Sequence, residues 1–175
     1  MEEQKIEAKF FEGHVSTSKS DQALVLYDQS RYGELVGGKI KYSLFEALYL
    51  LEKEKLDVKL GKKSLDFDSF VSKSSKKDKG FLVKYIVFRD MRNRGYIIKT
   101  ALKFGADFRV YDRGVKPGED HAKWVLYPIH ESKVLTWHDF SAKNRVAHST
   151  RKRLLIAVVD DEEDVSYWEC AWKRP

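Results

Sequence analysis

Three ionisable side chains, Tyr111, His121 and Lys152, stand at points where the pattern of this chain changes from one element to the next. A hydroxyl, an imidazole and an ammonium can between them take one proton, give another and steady an anion. That set suits RNA, where each phosphate lies beside a 2′-hydroxyl that can attack it without a metal ion. Tyr111 ends a predicted strand, residues 107–111, and opens a loop rich in Gly, Pro and charge, residues 112–120 (DRGVKPGED). His121 closes that loop and opens a predicted strand, 121–130. Lys152 lies where a helix capped by Thr136 and running to about residue 151 hands over to the apolar strand 154–159. Ends of rigid elements are where side chains can be held to catalytic tolerance. Each residue also has an ordinary reading. A tyrosine at a strand end packs, a lone histidine is structural, and Lys152 belongs to the basic run Arg151-Lys152-Arg153. Spacing alone leaves both readings open.

The elements that must position these residues divide the chain in two. Residues 1–80 read as a small mixed domain. Short strands are predicted at 6–11 and 23–27, and Gly37-Gly38 marks a turn before a strand at 39–42. Ser43 with Glu46 is a capping box, and Leu44, Leu48 and Leu51 give the following helix a buried stripe. Residues 72–79 (SKSSKKDK) read as a linker or a helix tail, and the domain boundary is placed there. Residues 81–175 form the second domain. It opens with a helix at 81–94 stopped by Gly95, then a strand at 96–102, then the elements around the trio. Asp139 sits in the first turn of the helix capped by Thr136. A final strand is expected at 165–172. The fold class is therefore α/β (α+β), with a mixed central sheet flanked by helices in the second half.

Composition narrows the class further. With 42% hydrophobic and 34% charged residues among 175, the chain should be globular rather than disordered. No apolar run approaches the ~18 residues of a membrane span, and MEEQKIEAKF is too acidic for a secretory leader, so a cytoplasmic location is expected. The single cysteine, Cys170, excludes an internal disulfide and a cysteine-pair zinc site, and it reads as a small buried hydrophobe. The net charge is +6, yet residues 85–159 carry 15 Lys+Arg against 7 Asp+Glu. A basic stretch of that kind suits a polyanion, although a solvated lysine-rich surface has the same composition.

At the trio the chain resembles a known family. The segment FRDMRNRGYIIKTALKFGADFRVY, residues 88–111, is similar to the signature block of the archaeal tRNA-splicing endonucleases. It carries Arg-Asp-x-Arg-x-Arg-Gly-Tyr at a helix end, then Lys-Phe-Gly-x-Asp-Phe, then the tyrosine. Pro117-Gly118-Glu119-Asp120-His121-Ala122 matches the family's loop and histidine, and Ser149-Thr150-Arg151-Lys152 its lysine segment. The resemblance is strong from about residue 85 to 175. It is weaker over 1–80, where YSLFEALYLL, residues 42–51, resembles the family's N-terminal helix.

The resemblance implies an enzyme that cuts precursor tRNA at bulge–helix–bulge intron–exon junctions, leaving 2′,3′-cyclic phosphate and 5′-hydroxyl ends without metal or other cofactor. Tyr111 would be the general base, His121 the general acid and Lys152 the cation facing the transition state. A free tyrosine titrates near ~10, so the Lys152 cation would be needed to make a base of this type; otherwise Tyr111 orients the hydroxyl. Arg145 and a C-terminal cation, Arg174 or in the alternative register Lys173, would clamp a bulged base. The acidic residues Asp160, Asp161, Glu162, Glu163 and Asp164 would enter a basic groove of another subunit, and residues 165–172 would pair with a second copy, in a homotetramer. Tyr167, Trp168 and Trp172 fit that pairing or an ordinary core.

Other classes remain open on the residues alone. Pro117-Gly118-Glu119-Asp120 followed by Glu131-Ser132-Lys133 loosely matches the carboxylate and Glu-x-Lys pattern of metal-dependent restriction-type nucleases. A non-catalytic RNA-binding or structural subunit would need no trio. The 13% aromatic content also permits a protein-binding scaffold.

Overall fold

Local capping and turn signals set most of the elements. In this computed structural model, which describes residues 5–118 and 120–175, the chain divides into two units, Met1–Leu82 and Val83–Pro175. The first holds strands β1 (Ile6–Phe11) and β2 (His14–Ser18), helix α1 (Asp21–Ser30), strands β3 (Glu34–Val36) and β4 (Lys39–Ser43), helix α2 (Leu44–Glu52), strands β5 (Leu56–Leu60) and β6 (Lys63–Ser64), and helix α3 (Phe67–Ser75). Its sheet runs β3-β4-β2-β1-β5-β6, antiparallel except where β1 meets β5.

Gly37 and Gly38 join β3 to β4 with both φ angles positive, 58° and 74°, a two-residue hairpin geometry that glycine adopts without a Cβ clash. The capping box at α2 is formed as expected. Ser43 Oγ accepts from Glu46 N–H, and the Glu46 carboxylate accepts from Ser43 N–H. Leu48 is buried, while Leu44 and Leu51 are only half-buried. Residues 23–27 are a correction: they lie inside α1 and not in a strand. Ser20 Oγ accepts from Ala23 N–H, and this cap turns an apolar run that reads as a strand into the first turns of a helix. Residues 72–75 are the tail of α3, whose cap is Asp66. Strands β2, β5 and β6 and helix α3 go beyond the sequence expectations.

The second unit contains helix α4 (Phe81–Asn93), strands β7 (Ile97–Thr100), β8 (Phe108–Tyr111) and β9 (Trp124–His130), helix α5 (Trp137–Ser149), and strands β10 (Arg153–Val159) and β11 (Val165–Cys170). The sheet order is β11-β10-β9-β8-β7. Only the β9–β10 pair is parallel, and a parallel pair needs a crossover, which α5 supplies. Thr136 and Asp139 close the second capping box, at the start of α5. One face of the sheet presents Val125, Tyr127, Ile129, Leu154 and Ile156 to Phe140, Val146 and Ala147 of α5. The other presents Phe108, whose ring lies 5.9 Å from that of Phe88 in α4. The mixed α/β architecture, with helices on both faces of the second sheet, is the one expected.

This topology decides where the trio goes. β9 and β10, being parallel, begin at the same edge of the sheet. β8, antiparallel to β9, ends at that edge. The last residue of β8 is Tyr111, His121 lies just before β9, and Lys152 just before β10.

Candidate active site

Lys152 is placed by the way α5 ends. Arg151 N–H donates to His148 O at 3.0 Å and Lys152 N–H to Ala147 O at 2.8 Å, the paired bonds of a Schellman closure. Arg151 holds the left-handed position, φ 53°, that glycine more often fills. The chain is thereby turned into β10, and Lys152 Nζ donates to Thr150 O at 3.0 Å.

The loop from Tyr111 to His121 is closed at its base. Lys123 Nζ donates to Asp112 Oδ2 at 2.7 Å, and that bond, with a second from the Arg113 N–H, holds the Asp112 carboxyl below the usual range. Strand β9 starts three residues later than the sequence predicts, because Lys123 N–H donates to Val110 O and the chain bends there. His121 therefore stands in the loop, exposed, with its N–H on Asp120 Oδ1 at 2.6 Å. Tyr111 is buried.

Tyr111, His121 and Lys152 line one cavity of about 370 Å³, together with Phe104, Arg109 and Asp120. Phe104 comes from the turn after β7. Tyr127 Oη donates to Gly105 O at 3.0 Å and pins that turn, while burial pushes the Tyr127 hydroxyl up to about 12. Sequence reasoning passed over Phe104 and Arg109, although both lie inside the motif around Tyr111. The available signal was period two: Arg109 precedes Tyr111 by two residues on one strand and so shares its face.

Comparison with known proteins places both halves of the chain in one family. The model of the tRNA intron endonuclease catalytic C-terminal domain matches residues 81–167, and that of the tRNA intron endonuclease N-terminal domain matches residues 6–71. The tRNA-splicing endonuclease of Methanothermobacter thermautotrophicus is 38% identical over 171 residues, 98% of this chain and 99% of its own. That of Pyrococcus furiosus is 46% identical, covering 82% of each chain, and that of Thermococcus onnurineus is 43% identical, covering 85% of each. The chain belongs to the tRNA intron endonuclease family. It is an endonuclease of tRNA splicing.

Arg145 of the endonuclease lies elsewhere. It lines a second, larger cavity of about 680 Å³ between α5 and the C-terminal tail, with Phe140, His148, Trp172 and Lys173. The His148 and Trp172 rings meet edge-on, 5.0 Å apart. Arg174 is exposed and is not among the lining residues; its neighbour Lys173 is. Cys170 is half-buried on the same wall, and burial pushes its thiol up.

The acidic turn is partly satisfied within the chain. Asp160 Oδ1 accepts from the N–H groups of Glu162 and Asp164 at 3.0 and 2.8 Å. Asp161 lies 3.3 Å from His130 Nε2, and Glu163 pairs with Arg89 at 2.9 Å. Of the five, Glu162 and Asp164 have side chains without a partner among the described residues.

The carboxylate pattern of a metal-dependent nuclease falls partly on undescribed residues. Glu119 lies outside the described residues. Asp120 precedes β9 and Glu131 follows it, so the strand separates them. Among the described residues no three His, Cys, Asp or Glu side chains gather as a metal site, and no helix is long and apolar enough to cross a membrane.

Proposed function

We propose that the endonuclease cuts precursor tRNA at bulge–helix–bulge junctions in the cytoplasm by metal-independent acid–base chemistry. Tyr111 accepts the proton of the 2′-hydroxyl, or orients it. The 2′ oxygen then bonds to the adjacent phosphorus, and the bond to the 5′ oxygen breaks. His121 protonates that departing oxygen, and Lys152 faces the charge on the phosphorane. The products are a 2′,3′-cyclic phosphate and a 5′-hydroxyl. The observation that carries this reading is that three side chains from separate stretches of chain meet at one cavity. Exposure of His121 to that cavity suits a group that must reach a leaving oxygen.

Arg145 and a tail cation, Lys173 or Arg174, grip a bulged base at the second cavity, where Trp172 and His148 supply ring faces. Two cuts need two sites, hence more than one copy of the chain, and the assembly we propose is a homotetramer. Strand β11 is an edge strand with Trp168 61% exposed, a surface suited to pairing with a second copy. Glu162 and Asp164 are free to meet a basic groove of another subunit.

The test is cleavage of a bulge–helix–bulge RNA by the purified protein in excess EDTA, with analysis of the ends. Cutting should persist and leave a cyclic phosphate. Activity lost to the chelator, or 5′-phosphate ends, would overturn the mechanism.

A further inference from the structure

The catalytic cavity holds a second cation that the three-residue scheme does not use. Arg109 lies on β8 two residues before Tyr111, on the same face, and lines the cavity with it. Its guanidinium carbon is 5.9 Å from the ring centres of both Phe104 and Tyr111. Lys152 Nζ is 5.8 Å from the same Phe104 ring. Phe104 thus has a cation of each kind within 6 Å.

Two features of Arg109 run against folding economy. Its Nε is shut off from water and has no hydrogen-bond partner among the described residues, and a buried donor left without an acceptor carries the full cost of its desolvation. In the β7–β8 register its cross-strand neighbour is Lys99, and like charges directly opposite each other are unfavourable. Among the described residues Asp120 is the one carboxylate lining the cavity, and its Oδ1 already accepts from His121 N–H. A guanidinium presents its donors as a planar fork that matches the oxygens of a phosphate. A bound phosphate that accepts from the terminal nitrogens of the fork would offset the repulsion between the two cations.

We infer that Arg109 is a second phosphate-binding residue of the site, donating to a non-bridging oxygen of the reacting phosphate beside Lys152. The inference rests on the reading of this cavity as the cleavage site. Two cations there share the charge that grows on the phosphorane, Lys152 as a mobile point charge and Arg109 as a fork held by two rings.

The experiment is single-turnover cleavage of a bulge–helix–bulge RNA by the wild-type protein, R109Q, R109K and H121A, with thermal melts to check folding. Each is run on the natural substrate and on single diastereomers carrying sulfur at one non-bridging oxygen of the scissile phosphate. R109Q should cut roughly 10–10³-fold more slowly, as loss of one charge-stabilising donor does. R109K should recover part of that loss. One diastereomer should slow the wild-type protein, and that slowing should shrink or vanish in R109Q, because the contact it perturbs is already gone. If sulfur slows R109Q and the wild type by the same factor, or R109Q cuts at the wild-type rate while H121A is crippled, Arg109 has no contact with that phosphate. If H121A also cuts normally, the cavity itself is not the site, and the broader reading falls with this one.

Discussion

The two edges of the five-stranded sheet in the second unit use charge in opposite ways. At the edge where β9 and β10 begin, Tyr111, His121, Lys152 and Arg109 face a cavity in which Asp120 is the one carboxylate among the described residues. At the edge where they end, His130 and the acidic turn meet, and most of the carboxylates are already engaged by the chain. Asp160 closes its own turn, Asp161 lies against His130, and Glu163 against Arg89. The first edge gathers Lys152 and Arg109 around one cavity. The second spends three of five acidic side chains on its own shape and leaves Glu162 and Asp164 outward. A run of like charge in a sequence therefore overstates what a surface offers to a partner. Scattered residues such as Arg109 and Lys152 understate it.

The contrast can be broken most forcefully at the first edge. His121→Ala should leave folding and subunit number unchanged and slow bond breaking by roughly 10²–10⁴-fold, as removal of a general acid does. Rapid-quench cleavage with light scattering on the same sample reads both, and near-wild-type rates would defeat the assignment. At the second edge, replacing Asp160, Asp161, Glu162, Glu163 and Asp164 with serine should reduce a tetramer to dimers. A tetrameric mass by light scattering would remove the turn from the assembly. The double change at Glu162 and Asp164 alone should have most of that effect, since the other three carboxylates act within the chain.

Smaller effects sharpen the picture. Arg145→Ala should weaken substrate binding by roughly 2–30-fold, the range of a cation stacked on a ring, with KM raised and kcat kept. A fall in kcat at constant KM would move Arg145 into the chemistry. Thr136→Ala removes the cap of α5, the helix whose exit carries Lys152 and whose flank carries Arg145. It should cost about 1 kcal/mol in a urea melt at neutral pH. The Thr136 hydroxyl, followed by its N–H, holds the Asp139 carboxyl below its ordinary value. The stability this carboxylate contributes is present above about pH 4, the unfolded value, and is lost as pH falls through the lower folded one. The difference between T136A and the wild type should therefore narrow below about pH 4.

How far the sequence could be read depended on the range of the interaction. Ser43 with Glu46, Thr136 with Asp139, the Gly37-Gly38 turn and the stop at Gly95 each involve residues at most three apart. All of them stand where the sequence put them. The failure at residues 23–27 has the same local root: the cap at Ser20 outweighs an apolar run that suits either element. The three segments that carry Tyr111, His121 and Lys152, the residues whose catalytic roles are proposed here, were each legible as a motif.

Tertiary structure alone decided that those residues meet. Tyr111 and Lys152 are 41 positions apart, and they meet only because β10 returns parallel to β9. The α5 crossover sets that direction. Long-range pairing also decided which charges stay free: His130 and Arg89 engage part of the acidic turn from distant segments, and no local pattern announces it. Capping and turn chemistry are written residue by residue, because their hydrogen bonds span a single turn. A cavity is formed by the ends of strands that lie far apart along the chain, so its walls appear only when the strands have paired.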